Sequence, residues 1–109
     1  MSGRIKYSEQ AFNDLQAIYE YIAFELLVPG VAANQVDRIM KSIKALSEMP
    51  MMYKAYEEEP WRSKGIRVFP VDNYLVLYLP KENLNTVNIV RIIYGGRDVK
   101  RQLEKIKEI

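Results

Sequence analysis

Between Ile66 and Tyr94 the chain is largely apolar, broken by two polar turn-like stretches and otherwise only by Arg67, Asn88 and Arg91. Ile66 to Val71, Tyr74 to Leu79 and Thr86 to Tyr94 are rich in Val, Ile, Leu, Tyr and Phe, the residue types that fit a pleated, half-buried surface. Asp72-Asn73 is short enough to close a tight hairpin, and Pro80 through Asn85 supplies a longer polar turn. Three consecutive antiparallel strands, a meander, are the economical reading of connections this short. Leu75, Leu77 and Leu79 are apolar, whereas Tyr74, Val76 and Tyr78 are only partly so. That alternation predicts a leucine face packed on helices and an opposite face forming a groove with tyrosines.

The first half supplies the helices. Arg4 to Tyr7 reads as a short strand, and Ser8 is placed to cap a helix by accepting a bond from its first free backbone amides. Ala11, Leu15, Ile18, Tyr19, Ile22 and Leu26 recur at three and four, which puts them on one face of a helix ending near Leu26. Pro29 and Gly30 break the pattern. A second helix follows, with Ala32, Val36, Ile39, Met40, Ile43 and Leu46 at the same spacing before Pro50 stops it. Each helix has one stripe to bury, so the hairpin needs an apolar surface beyond itself, and the strands provide one. Met51 to Lys64 reads as a long irregular connection. Asp98 is placed to cap a last short helix in which Val99, Leu103 and Ile106 share a side. The expected architecture is α+β: an N-terminal strand and helical hairpin on a small, twisted, mainly antiparallel sheet, with a short C-terminal helix, in one domain spanning residues 1–109.

Composition narrows the chemistry. At 109 residues and 49% hydrophobic content, one compact core is expected and a second domain is not. There is no cysteine, hence no disulfide framework and no thiolate, which suits a reducing cytoplasm. No signal-like N-terminus is present, and no apolar run approaches the roughly 18 to 20 residues of a membrane span, so a soluble cytoplasmic chain without a membrane partner is expected. There is also no histidine, which removes the commonest general acid/base and metal ligand. No phosphate loop, nucleophile elbow or zinc-spaced cluster appears, so neither a metal nor a cofactor is expected. Glu57, Glu58 and Glu59 read as a solvated loop, because three consecutive carboxylates cannot all face one ion in a regular element.

A net charge of +2 is too small to argue nucleic-acid binding, but it is unevenly spread. Arg91, Arg97, Lys100, Arg101, Lys105 and Lys107 make the final segment basic. Among the eight tyrosines, Tyr7, Tyr19 and Tyr21 fit a core with hydroxyls at its rim. Tyr74, Tyr78 and Tyr94 lie on strands near Arg67, Arg91 and Arg97 and suit either a mixed cationic and aromatic surface or ordinary sheet packing. Gly95-Gly96 reads as a tight turn from strand to helix.

Taken together, Tyr74-Leu75-Val76-Leu77-Tyr78, the polar turn, Val87-Asn88-Ile89-Val90-Arg91-Ile92-Ile93-Tyr94 and Gly95-Gly96-Arg97-Asp98 resemble the ending of the RelE/ParE superfamily of toxins from type II toxin–antitoxin systems. With the first strand, the helical hairpin and Gly65-Ile66-Arg67-Val68-Phe69, the resemblance covers nearly the whole chain. It implies the same fold and a cognate antitoxin, an extended or helical, usually acidic segment that folds onto the toxin. Within the superfamily, RelE-like members cleave messenger RNA on the ribosome and ParE-like members poison DNA gyrase. RelE-like toxins usually carry an arginine directly after the tyrosine of the middle strand, where this chain has Leu75. Their second arginine looks matched by Arg97, while the aromatic or histidine group of their tail has no counterpart, since Leu103 and Ile106 occupy that region. Arg97 thus implies a catalytic role only if the chain is a ribonuclease, and it equally suits a local ion pair and cap with Asp98. The resemblance leans to the ParE branch, with stoichiometric binding of gyrase rather than turnover; a ribonuclease and a non-toxic binding module of the same fold are the alternatives. It makes Arg67, Arg91, Arg97, Tyr78 and Tyr94 the candidate contacts for a target or partner.

Overall fold

A computed structural model describes residues 4–96 and 99–106. In chain order it contains β1 (Arg4–Tyr7), α1 (Glu9–Glu20), a π-helical turn (Tyr21–Glu25), α2 (Pro29–Leu46), β2 (Arg67–Val71), β3 (Tyr74–Lys81), a single 3-10 turn (Glu82–Leu84), β4 (Thr86–Tyr94) and α3 (Val99–Leu103).

Ser8 starts α1 as its chemistry demands. Its backbone is extended and its hydroxyl accepts from the Ala11 amide at 3.0 Å, satisfying one of the amides a helix start leaves unpaired. At the far end the helix widens. The Leu26 amide bonds back to Tyr21 and the Val28 amide to Ile22, while Leu27 sits at φ 60°, so the chain turns through a left-handed residue. Pro29 and Gly30, expected to break the pattern, are instead the first residues of α2. Proline suits that position because its missing N–H would have had no carbonyl to bond, and its fixed φ is already helical.

The sheet order is β1-β4-β3-β2. The meander forms as the turn chemistry predicts, with Asp72 supplying the positive φ, 54°, that the two-residue hairpin requires. β1 lies parallel to β4, pairing Arg4 with Thr86 and Tyr7 with Ile89, so the sheet is mixed with one parallel pair. The helical hairpin is the crossover that parallel pairing requires. Met51 to Lys64 is largely irregular, although the segment 54–56 tracks the start of β2: Val68 donates to Lys54 and Tyr56 to Ile66.

The sheet's two faces are assigned opposite to the expectation. The helical hairpin buries Ala11, Leu15, Ile39, Ile43 and Leu46 against Phe69, Val76, Tyr78, Val87, Ile89 and Ile92. Leu77 and Leu79 point the other way, with Ile66, Val90 and Ile93, into a second cluster closed by Leu103 of α3 and flanked by Trp61 and Val99. Strand alternation fixes which residues share a face but not which face meets the helices, and here both faces are apolar because both are covered. Tyr78 fits the helix side because its hydroxyl, at the end of a fully buried ring, donates to the Pro50 carbonyl at 2.8 Å. The alternation also slips once. A bulge sets Leu77 opposite Arg91 but Tyr78 opposite Ile89, leaving Val90 as the extra residue.

Burial pushes the Tyr78 phenol up to about 12, and the smaller opposing pull of the Arg67 guanidinium does not cancel it. An unfolded tyrosine loses its proton near pH 10, so the folded state holds a proton that the unfolded chain sheds above that pH. The stability this group contributes is whole below about pH 10 and is lost toward about pH 12. Tyr78→Phe should cost about 1 kcal/mol near neutrality, through the lost hydrogen bond. It should also flatten the fall in stability across that alkaline window, and urea unfolding of both proteins at several pH values checks each half of the expectation.

Candidate partner-binding surface

At the end of β1 the β4 edge would be left bare, and side chains of the first helix complete it. The Ser8 hydroxyl donates to the Val90 carbonyl at 2.8 Å. Two residues on, the Asp14 carboxylate accepts from the Ile92 amide at 2.9 Å. The same carboxylate takes the Arg91 guanidinium in a two-pronged pair, Nε to Oδ2 at 2.7 Å and Nη2 to Oδ1 at 3.0 Å. Arg91 then reaches α3, donating from Nη1 to the Gln102 carbonyl at 3.2 Å.

This arrangement changes the reading of the candidate residues. Arg91 is only 8% exposed and holds α1, β4 and α3 together, so it is no free cation for a partner. Tyr78 is fully buried, and it too cannot face one. Arg67 is half-buried and donates to the Tyr53 carbonyl, which fastens the irregular segment to β2. Arg97 and Asp98, including the proposed helix cap, lie outside the described residues. Tyr94 is 49% exposed and packs edge-on against Tyr74, with ring centres 5.9 Å apart. Its ring lies over Gly96, so that a Cβ there would sit 2.6 Å from it and would require the tyrosine ring to move. The four described candidates therefore do not form one surface.

What the fold gathers at this end of the sheet is different. The β2–β3 turn is tied to α2, with Asp72 accepting from Arg38 at 2.6 Å and from Gln35 at 2.9 Å. The Tyr74 phenol is raised mainly by burial, then by the neighbouring Tyr94 and Tyr21 phenols and Asp72. Tyr21, expected in the core, thus stands on an exposed rim with Tyr74 and Tyr94. Beyond it the hairpin tip exposes Phe24, Leu26, Leu27, Val28 and Val31. Leu26 and Tyr19, placed on the buried stripe by spacing, are exposed as well, as is Met40 of α2. A visible signal for this surface was the run Leu26-Leu27-Val28 immediately before Pro29, where a turn between helices would ordinarily be polar.

Catalytic groups are sparse. Among the described residues no group of three His, Cys, Asp or Glu is placed to hold a metal. A pocket of about 290 Å³ beside β1 is lined by Lys6, Tyr7, Ser8, Leu79 and Asn88, and the Ser8 hydroxyl there already donates to Val90 and accepts from Ala11. No base is paired with it, so it is not an activated nucleophile. No described helix is long and apolar enough to cross a membrane.

Residues 5–99 match the family model described as the ParE toxin of type II toxin–antitoxin system, parDE. No curated protein matches the sequence. Among solved structures, the chain is similar to the chromosomal ParDE toxin–antitoxin system from P. aeruginosa, with a TM-score of 0.69 and 23% identity over 85% of this chain and 96% of that one. It is also similar to the toxin–antitoxin complex RelBE2 from Mycobacterium tuberculosis, at 0.62 and 19% over 86% and 99%. The isolated E. coli RelE toxin gives 0.62 and 11% over 95% and 97%. At these identities the likeness is one of fold, which the α+β architecture described above shares.

The Asp14–Arg91 pair generates a stability prediction. Arg91→Ala should cost about 3–5 kcal/mol by stranding a largely buried carboxylate, and Asp14→Ala a similar amount. The double variant should cost clearly less than their sum, because the two share one interaction. Urea denaturation of the four proteins measures the coupling.

Proposed function

Because the chain belongs to the ParE toxin family of type II toxin–antitoxin systems, we propose that it acts as a ParE-like toxin, binding DNA gyrase stoichiometrically and held inactive by a cognate antitoxin. The observation that carries the gyrase reading is the state of the strand cations. A ribonuclease of the RelE type needs several basic groups around a phosphate and a group to move the proton of the attacking hydroxyl. Here the residue after Tyr74 is Leu75, half-buried in the apolar cluster under α3. The arginine of β4 is locked to Asp14. A protein that works by occupying its target needs neither group free.

The antitoxin follows from the same family membership, and the ParDE and RelBE structures are of toxin–antitoxin systems. An acidic segment suits the basic C-terminal part of this chain, with Tyr94, Arg67 and Arg97 as proposed contacts. Cytoplasmic residence accords with such a target and with the absence of cysteine.

Induced expression of this chain alone in bacteria tests the proposal. The expected outcome is growth arrest with gyrase-linked DNA breaks and altered plasmid topology, while reporter messages stay intact. Ribosome-dependent cleavage of those messages would overturn the gyrase reading. Normal growth with soluble, folded protein would leave a non-toxic binding module.

A further inference from the structure

The hairpin tip is the largest feature that the fold leaves unexplained. Tyr21, Phe24, Leu26, Leu27, Val28 and Val31 fall within one turn of chain and its flanking helix ends, and they are 40% to 77% exposed. Together they present on the order of 600 Å² of largely apolar surface, the upper end of what a monomer leaves contiguous and close to the ~800 Å² per partner of a standard protein interface. Ile22, Ala23 and Ala32 beneath them form a small core of their own, so the exposed side chains are not needed to close it. Leu27 adds strain to exposure, since a leucine at φ 60° occupies a region that glycine or asparagine would fill at lower cost.

Charge says what would cover this surface. From Tyr7 to Asp37 the chain carries no lysine or arginine; Asp14 is held by Arg91 and Asp37 by Lys41, while Glu20 and Glu25, both exposed, flank the aromatic side chains of the tip. An acidic rim repels nucleic acid, an anionic membrane and an acidic antitoxin segment alike. It also disfavours a second copy of the tip, which would set like charges face to face across a two-fold axis.

We propose that the tip is the target-docking surface of this toxin and that it takes a protein segment presenting apolar side chains flanked by lysine or arginine. The inference rests on the toxin reading above and deepens it, dividing the molecule into an acidic, apolar end for the target and a basic end for the antitoxin. The two surfaces border one another at the rim where Tyr21 of the tip stands with Tyr74 and Tyr94.

Three variants test it: Phe24→Asp, Glu25→Lys and Leu27→Gly. All three sites are exposed, and glycine suits the backbone at Leu27, so wild-type melting temperatures are expected and are measured first. Each variant should raise colony survival on induction at least tenfold and raise the concentration needed to inhibit purified gyrase by a similar factor. Folded variants that arrest growth as the wild type does would overturn the docking surface. If the wild type arrests growth but leaves gyrase untouched, the gyrase reading fails and the docking surface is judged by survival of the variants alone. A wild type that arrests nothing sinks both. Sedimentation showing dimers, or flotation with phosphatidylcholine vesicles, abolished by the same substitutions would overturn the proposal in favour of a second copy or a lipid surface.

Discussion

One carboxylate holds the molecule in register. β1 is only four residues long and ends beside Ile89, while β4 continues five residues further to Tyr94. The exposed amide and carbonyl groups of that remainder need partners. Asp14 meets this need from a helix rather than a strand, taking the Ile92 amide and the Arg91 guanidinium at once. A helix anchored to a strand edge in this way cannot slide along the sheet without breaking charge-assisted bonds in a largely buried place. Because Arg91 also reaches Gln102, the same node sets where α3 lies on the opposite face. The helical hairpin, the sheet and the C-terminal helix are three layers pinned at one point.

From that arrangement follows the division of the surface. Both faces of the sheet are covered, one by α1 and α2 and the other by α3 with the segment around Trp61, so neither face offers the tyrosine groove that a two-layer fold would have. Accessible aromatic surface moves to the end of the sheet and the hairpin tip, where Tyr21, Tyr74 and Tyr94 meet. The cations follow the same logic. Arg38 and Arg91 are engaged by Asp72 and Asp14, and Arg67 by a backbone carbonyl.

Much of the fold was legible because local chemistry and global pattern agree. Ser8 caps where it was placed, the three strands and their two turns appear where β-branched residues and turn residues put them, and the parent family was recognisable from the closing strand. Three features were not legible, each for a physical reason. A strand apolar on both sides does not reveal which side the helices cover, so Tyr78 was assigned to the wrong face. The partner of Arg91 is Asp14, 77 residues earlier, a distance at which sequence spacing carries no information. Helical periodicity locates a stripe but not where it stops being covered, so Leu26 and Tyr19 looked like core although the hairpin extends past the sheet that would bury them. Of the candidate contacts, Tyr94 is exposed as an interaction site requires.

The parallel pairing of β1 with β4 bears on synthesis. The first strand pairs with β4, which begins at Thr86, so during synthesis it waits for some eighty further residues before it can pair. Until then the apolar stripes of α1 and α2 have only each other, and the sheet that would bury them does not yet exist. Contacts this distant in sequence form late and slowly. Until β4 has been made, the chain therefore stays an open hairpin whose uncovered apolar stripes are prone to aggregate.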